Sequence, residues 1–348
     1  MQLHRNPVQN IVNLLLLFRL SSIARAAIVP NRQEYAIGFH TTSLISTSAV
    51  AVSYANGSNI ALGRVSGDRA WHDLIFWLCV NPTYPGFVDE PLITASQAIL
   101  DKMIRSLVEV GAARLGEPIR AAAVSLAGHN RVHHYGEFSV DAILKDASRA
   151  AGIEYLQILS RDAVMGEPLI FVENSIVAGH GLCLCHPYTA NQNCTNGTRP
   201  PPEDVYYLIG YYASELEITR TADCWTAYNS WWYGFPTRDL GRDFKHAHAD
   251  DQQYWDKVRV QLLKSLLPRV SHNVTKLIYY GDFAEDAQLR EVVAEVLHMV
   301  GQTPALIDDG VDPVYAGALG TAELAKRKLY HDVAPKHPGL IVQPKSDL

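Results

Sequence analysis

The sequence predicts an α/β protein whose two halves repeat one order of strands and helices. Three observations support this prediction. The chain has 348 residues, which suffices for two domains of ordinary size. In each half, short segments typical of strands precede longer segments whose apolar residues recur every three or four positions. Hydrophobic residues make up 48% of the chain and charged residues 19%, a balance typical of globular rather than disordered proteins.

The first half, lobe I (residues 34–185), is predicted to begin with three strands. They cover residues 35–39, 46–54 and 59–65, and the pair Asn56-Gly57 favours a tight turn between the last two. Helices and strands then alternate in the order helix 92–115, strand 118–127, helix 139–151, strand 153–159 and helix 171–182.

The second half, lobe II (residues 204–330), repeats this order. Strands are predicted over residues 205–211, 215–221 and 224–228. The elements that follow are helix 252–267, strand 276–280, helix 285–300, strand 305–307 and helix 311–329.

Three segments lie outside the two lobes. Residues 1–26 are predicted to be a signal peptide, residues 186–203 form a polar and turn-rich linker loop, and residues 331–348 are expected to be a disordered tail. The first 33 residues contain no acidic side chain, an apolar run spans Ile11–Phe18, and Ala24-Arg25-Ala26 gives a cleavage pattern. The leader therefore favours secretion, while its arginines also fit a mitochondrial transit peptide or a helix that is never removed.

Sequons and cysteines also favour the secretory pathway. Four Asn-x-Ser/Thr sequons predict glycosylation at Asn56, Asn193, Asn196 and Asn273. Cys185 and Cys194 flank a polar loop, and we expect a disulfide between them in an oxidising compartment. The neighbouring Cys183-x-Cys185-His186 lacks the spacing typical of zinc sites, so no metal site is predicted.

Charge and hydropathy exclude two classes of partner. The chain has 30 Lys+Arg against 36 Asp+Glu, a formal net charge of −6, and no basic block runs through it. We therefore expect no nucleic-acid partner. No uncharged apolar run reaches the roughly 18 residues that a spanning helix needs, so no transmembrane segment is expected.

Four segments, in this duplicated order, carry a resemblance to a known family. They are IGFHTT from Ile37, AGHGL from Ala178, LIYYGDFAED from Leu277 and DPVYAGALGTAELAKRK from Asp312. In these segments the chain resembles the actin-like ATPase superfamily, in the branch of the nucleotide-binding domain of the seventy-kilodalton heat-shock chaperone. The resemblance implies two ribonuclease-H-like lobes, a central cleft that holds ATP, and a last helix that packs back toward lobe I.

The phosphate-binding motifs of that family are degraded here. The first requires Asp-x-Gly-Thr-Thr, but this chain has Phe39-His40 before the threonine pair. The second requires Asp-x-Gly-Gly-Gly-Thr, but here Gly210 is followed by two tyrosines. If a nucleotide binds at all, the resemblance assigns it to the residues Gly38, Thr41, Thr42, Gly281 and Asp282.

These losses predict a non-catalytic pseudo-ATPase that acts as a binding or scaffold protein. We expect its partner to be another protein or a small ligand in the interlobe cleft, with no cofactor. The alternative is a divergent nucleotide-binding protein or ATPase with a rebuilt cleft, which binds ATP and Mg²⁺ weakly. Two clusters are interpreted as solvated loops, with acid–base chemistry or metal binding as the alternative: His129, His133 and His134, and His246, His248, Asp250 and Asp251. The aromatic stretch 225–235 is interpreted as core packing, with a binding surface as the alternative.

Overall fold

A computed structural model of the chain describes its secondary structure in separate ranges. These are residues 35–41, 47–80, 90–126, 140–156, 170–182, 204–221, 237–248, 250–266 and 273–333. All of them belong to one compact unit that begins at Tyr35. Among these residues, no helix combines the length and the apolar character required to cross a membrane. The predictions that lie outside the described residues are the leader, the linker loop, the strand 224–228, the clusters 129–134 and 225–235, the tail beyond residue 333, Thr42, Cys185, Cys194, Asn193 and Asn196.

The first sheet contains strands β1 to β6 in the order β3-β2-β1-β4-β5, and β6 also pairs with β4. The pairs β1–β2 and β2–β3 are antiparallel, whereas β4 runs parallel to β1, β5 and β6. The six strands are β1 Tyr35–Thr41, β2 Thr47–Tyr54, β3 Asn59–Ser66, β4 Ala121–Leu126, β5 Glu154–Tyr155 and β6 Ile170–Phe171.

Helices of lobe I cover the first sheet. They are α1 Arg69–Val80, α2 Glu90–Leu115, α3 Val140–Ala150 and α4 Val172–Gly179. Apolar side chains that recur every three or four positions along α2 face the sheet, because burying them removes them from water. The resulting core includes the buried residues Ile37, Phe39, Val50, Val52, Leu100, Ile104, Leu107, Val124 and Leu144.

The second sheet has the order β10-β9-β7-β8. The pair β7–β8 is antiparallel, and β7–β9 and β9–β10 are parallel, so these pairings match β2-β1-β4-β5 of the first sheet in order and in sense. The elements of lobe II are β7 Tyr206–Tyr211, β8 Leu216–Thr221, α5 Asp251–Leu266, β9 Lys276–Tyr280, α6 Ala287–Met299, β10 Ala305–Leu306 and α7 Ala316–Val333, with short 3-10 helices over Arg238–Leu240 and Arg242–Ala247.

One face of the second sheet packs under α5 and α6, and the other face joins the core of lobe I. Tyr254 and Trp255 of α5 are buried with Tyr207 and Ile209 of β7 in a core separate from that of lobe I. On the opposite face, the buried cluster that includes the lobe I core continues through the side chains of Tyr206, Leu208, Tyr212, Ile278 and Tyr280. Buried side chains of the second sheet therefore belong to the same apolar cluster as the core of lobe I.

Helix α7 crosses from lobe II and packs on β1, β2 and α4. Small residues allow this close approach. The Cα of Gly38 on β1 lies against the backbone of Ala318, Thr321 and Ala322, and the Cα of Gly320 lies against the backbone of Ser175 and Gly179 on α4. Because no Cβ stands between them, the backbones touch, and this gives α7 a fixed place on the first sheet.

Most predicted elements are confirmed, with three corrections. Helix α1 was not predicted. The predicted helix 171–182 is divided into β6, which pairs with β4, and a helix that ends before Gly181, whose φ is +68°. The predicted helix 311–329 begins only at Ala316, after a turn in which the Asp312 side chain accepts from the N–H of Val314, and it extends to Val333, into the tail expected to be disordered.

We expect Gly320→Ala to destabilise the protein by about 1–3 kcal/mol, because the added methyl group overlaps backbone atoms of Ser175 and Gly179 that cannot move independently. In an open helix the same change raises the free energy of unfolding by about 0.5–1 kcal/mol. Urea denaturation measures the difference. An unchanged or raised free energy of unfolding would contradict the close approach of α7 to α4.

Candidate functional site

The candidate site lies where the turn after β9 meets the start of β2. This turn, residues 281–286, is called the Gly281 turn below. Gly281 has φ +96°, a conformation that favours glycine, and its N–H donates to the carbonyl of Pro313 at 3.2 Å. The N–H of Phe283 donates to the carbonyl of Tyr211 at 3.0 Å, so the turn is anchored to β7 of its own lobe.

Asp282 connects the Gly281 turn to lobe I. Its two carboxylate oxygens accept from the Thr47 hydroxyl at 3.0 and 3.1 Å, and the Arg64 guanidinium lies 3.6 Å from Oδ1. Thr47 begins β2 and Arg64 lies on β3. The carboxylate that the resemblance assigned to a nucleotide therefore already binds groups of the chain itself.

Gly38 and Thr41 are engaged elsewhere. Gly38 faces the backbone of α7, and the buried Thr41 hydroxyl donates to the carbonyl of Ser125 at 2.8 Å. Beside them, His40 Nδ1 hydrogen-bonds the Ser125 hydroxyl at 2.8 Å, and its ring packs on Gly317. Burial lowers the pKa of His40 to about 3, so a neutral imidazole stands in the segment that resembles the first phosphate motif.

A pair of buried tyrosines occupies the region behind the Gly281 turn. The rings of Tyr212 and Tyr280, the tyrosine pair, meet edge to face with centroids 6.1 Å apart and an interplanar angle of 78°. The Cα of Gly210 lies against the Tyr280 ring, and that of Gly281 lies against Tyr212. Burial raises the pKa of both tyrosines well above the usual value, so both hydroxyls remain protonated.

The β7–β8 turn, residues 212–215, is covered by backbone. The N–H of Arg242 donates to the carbonyl of Tyr212 at 3.0 Å, and the N–H of Asp243 donates to that of Ala213 at 2.7 Å. Gly241 lies directly on the backbone of Ser214 and Glu215, where a Cβ has no space. The turn that resembles the second phosphate motif therefore contacts the segment that contains the two 3-10 helices.

Two buried carboxyl groups from different lobes lie beside the tyrosine pair. Glu173 begins α4, Glu217 lies on β8, and Glu217 hydrogen-bonds the Tyr280 hydroxyl. Burial, and to a smaller extent the charge of Glu217, raises the pKa of Glu173 to about 8. Glu173 is therefore protonated at neutral pH, which avoids two adjacent buried charges.

Sequence reasoning missed the residues that surround Asp282 and Tyr280. Glu173 offered a signal, since it is the one charged residue in the helix sequence VENSIVAG. Glu217 offered none, because it alternates with Leu216 and Ile218 as an outward-facing strand residue would, yet both faces of β8 are buried. Thr47 and Arg64 lie more than 200 residues from Asp282 in the sequence, and local patterns carry no information about such pairs.

Two predicted glycosylation sites are described, and both are exposed. Asn56 lies in the β2–β3 turn, where its Oδ1 accepts from the N–H and hydroxyl of Ser58 at 2.9 and 2.7 Å. Asn273 precedes β9, and its Oδ1 accepts from Gln302 at 3.1 Å. Neither side chain is enclosed, so the fold leaves room for a glycan at each position.

The remaining predicted clusters add no site among the described residues. His248 packs against the Tyr254 ring at 5.4 Å, while residues 129–134 and 225–235 lie outside the described ranges. Within those ranges, no three His, Cys, Asp or Glu side chains are grouped so that they could hold a metal ion. No protein-family model matches the chain, and no curated protein matches it significantly. Function must therefore be argued from the site itself.

We expect Glu173→Gln to remove a pH dependence of stability. Above pH 4.5 an unfolded glutamate loses its proton, whereas folded Glu173 keeps it up to about pH 8, so the free energy of unfolding falls as pH rises between these values. The slope from this one group is about 1.4 kcal/mol per pH unit. The variant therefore lacks this slope and gains stability relative to the wild type toward pH 8.

Urea denaturation at four pH values from 6.5 to 8 measures this effect. The window avoids His40, whose lowered pKa affects stability only below its usual value of 6.5. Glu291→Gln, an exposed glutamate on α6, is the matched control and should follow the wild type. If the Glu173→Gln curve is parallel to the wild-type curve, Glu173 does not titrate as a buried carboxyl.

Proposed function

We propose that the chain is a non-catalytic protein of the actin-like ATPase fold that acts by binding a partner in its interlobe cleft. The proposal treats the two lobes as duplicates. Two features support this. The pairings β8-β7-β9-β10 repeat β2-β1-β4-β5 in order and in sense, and α7 returns from lobe II to pack on β1 and β2.

The tyrosine pair is the main observation that supports the absence of ATP turnover. A phosphate-binding turn needs small residues, so that backbone N–H groups approach the phosphate, and a carboxylate that organises Mg²⁺. Here the rings of Tyr212 and Tyr280 fill the space beside Gly210 and Gly281, and the β7–β8 turn contacts the backbone of residues 241–243. Phosphate groups would meet aromatic rings and buried carboxyls instead of donors.

The binding free energy lost with the missing phosphate contacts also argues against ATP turnover. Each hydrogen bond to a charged phosphate oxygen is worth roughly 1.5–3 kcal/mol, so losing several of them removes most of the affinity expected for a nucleotide. The nearby carboxylates of Glu217 and Asp282 disfavour a polyphosphate further, although Arg64 offsets part of the charge of Asp282. We therefore expect no ATP or Mg²⁺ cofactor, and a protein or a small non-phosphate ligand as the partner.

Secretion belongs to the same proposal. The leader over residues 1–26 and the sequons support it, and the exposed positions of Asn56 and Asn273 are compatible with glycans. Under this proposal the mature protein binds its partner outside the cell or in the secretory pathway. A mitochondrial location is the alternative that the leader allows.

We expect the purified full chain to give no heat and no thermal shift with Mg-ATP or Mg-ADP at millimolar concentration. Calorimetric titration measures the heat, and a thermal melt with and without nucleotide measures the shift. Magnesium alone and AMP serve as controls for effects of ionic strength and of the adenosine group.

A dissociation constant near 10 μM, about −6.8 kcal/mol, would contradict the proposal and favour a divergent nucleotide-binding protein. In that case Thr41→Val and Asp282→Asn should weaken binding if the residues assigned by resemblance contact the nucleotide. Binding that neither substitution changes would place the nucleotide elsewhere on the protein.

A further inference from the structure

The contact of Asp282 with Thr47 and Arg64 joins two lobes through a single side chain. Asp282 and Thr47 are 235 residues apart in the sequence. Together with the ion pair to Arg64, their hydrogen bonds connect the Gly281 turn to the antiparallel strands β2 and β3. The turn itself is held within lobe II by the bonds from Gly281 to Pro313 and from Phe283 to Tyr211. The Asp282 side chain therefore extends from a turn fixed in one lobe to an edge of the other.

This contact differs in its surroundings from the buried contacts between the same lobes. The Arg64 side chain is 57% exposed and that of Asp282 is 15% exposed, so water reaches the ion pair. The contacts between α7 and β2 are buried instead. The Lys326 side chain, which donates to the Tyr54 carbonyl, is 1% exposed, and the Glu323 side chain, which accepts from the Ser53 hydroxyl, is 8% exposed. Breaking the Asp282 contact leaves its charged groups solvated, whereas breaking the α7 contacts leaves a buried charge without its partner.

The Gly281 turn covers the tyrosine pair. The Cα of Gly281 lies against the Tyr212 ring, and the charge of Asp282 is close enough to raise the pKa of the Tyr212 hydroxyl further. Because the Phe283–Tyr211 hydrogen bond also holds the turn over Tyr212, the ring of Tyr212 is uncovered only when the turn leaves both β2 and β7. A ligand that reaches the tyrosine pair from this side has to displace the Asp282 contact first.

We infer that Asp282 is a latch, which closes the cleft by holding the Gly281 turn against Thr47 and Arg64, and which opens without unfolding either lobe. The inference rests on the proposed function in one respect, because it takes the cleft behind the latch as the binding site. The closed state is the resting state, and partner binding requires the latch to open. Asp282 acts by positioning the turn and does not contact the partner in the closed state.

Hydrogen exchange of the full chain, followed by mass spectrometry without any ligand, tests the latch. In Asp282→Asn the Thr47 hydroxyl loses its charged acceptor, and in Thr47→Val the carboxylate loses its donor without a change of side-chain size. We expect both variants to accelerate exchange about tenfold in peptides that contain residues 281–284 and 47–53, since a hydrogen bond to a charged group is worth at least this factor. Peptides from α2 should exchange as in the wild type.

Two controls make the result specific. Glu285→Gln removes a carboxylate from the same turn. This carboxylate pairs with Arg290 at 2.8 Å and is largely exposed, so its removal should leave exchange unchanged. The double variant Thr47→Val/Asp282→Asn should exchange no faster than Asp282→Asn alone, because Asp282→Asn already weakens the contact that Thr47→Val removes. Additive effects would show that the two residues act independently and would overturn the latch.

Unchanged exchange in both single variants would overturn the inference, because the contact would then hold nothing closed. Faster exchange throughout the chain, α2 included, would also overturn it by assigning Asp282 a role in global stability. Neither outcome depends on nucleotide binding. Micromolar binding of Mg-ATP would overturn the proposed function and leave the exchange result intact, so the two failures are distinguishable.

Discussion

The close approach of α7 to the first sheet is the constraint on which the rest of the structure depends. Helix α7 carries the end of lobe II onto β1, β2 and α4, and only glycine and alanine at the contact let the backbones come together. Gly38, Gly179, Gly317 and Gly320 each face a group that a Cβ would overlap. Because backbone lies against backbone along most of this seam, α7 has little freedom to shift on the first sheet.

Polar groups buried by this packing are satisfied within the seam. The Lys326 ammonium pairs with Glu323 and donates to the Tyr54 carbonyl at 3.2 Å, while the Ser53 hydroxyl donates to Glu323 at 2.8 Å. A buried ion pair adds little net stability, but removing one partner is costly, so the pair disfavours any other position of α7. His40 avoids the same cost by remaining neutral against Gly317.

The order of elements could be predicted from the sequence because strand and helix periods are local signals. The turn at Asn56-Gly57 and the strands on either side of it were predicted within two residues, and so was β9. Helix α6 begins where Asp286 caps it, with its carboxylate accepting from the N–H of Leu289, two residues later than the apolar pattern suggested. The resemblance also implied that the last helix packs back toward lobe I, and α7 contacts β1, β2 and α4.

The candidate site was less predictable, because its contacts join distant segments. The resemblance directed attention to Gly281 and Asp282, and both lie in the turn that contacts β2, but the groups that Asp282 contacts could not be inferred from spacing. Gly38 and Thr41 were assigned to a ligand by motif position, whereas in the fold they contact α7 and Ser125. Burial of Glu173 and Glu217 follows from how the two sheets meet, which no local pattern encodes.

The groups around the Gly281 turn find their partners within the chain, which stabilises the fold without a ligand. A turn built to hold phosphate leaves backbone N–H groups and a carboxylate without partners whenever the ligand is absent. Here the carbonyls of Tyr212 and Ala213 accept from residues 242 and 243, the tyrosine pair packs in a continuous core, and the carboxylate of Asp282 binds Thr47 and Arg64. These groups are therefore paired with one another and need no ligand to be satisfied. Under the proposed function, the same contacts stabilise the ligand-free state that the Asp282 latch holds closed.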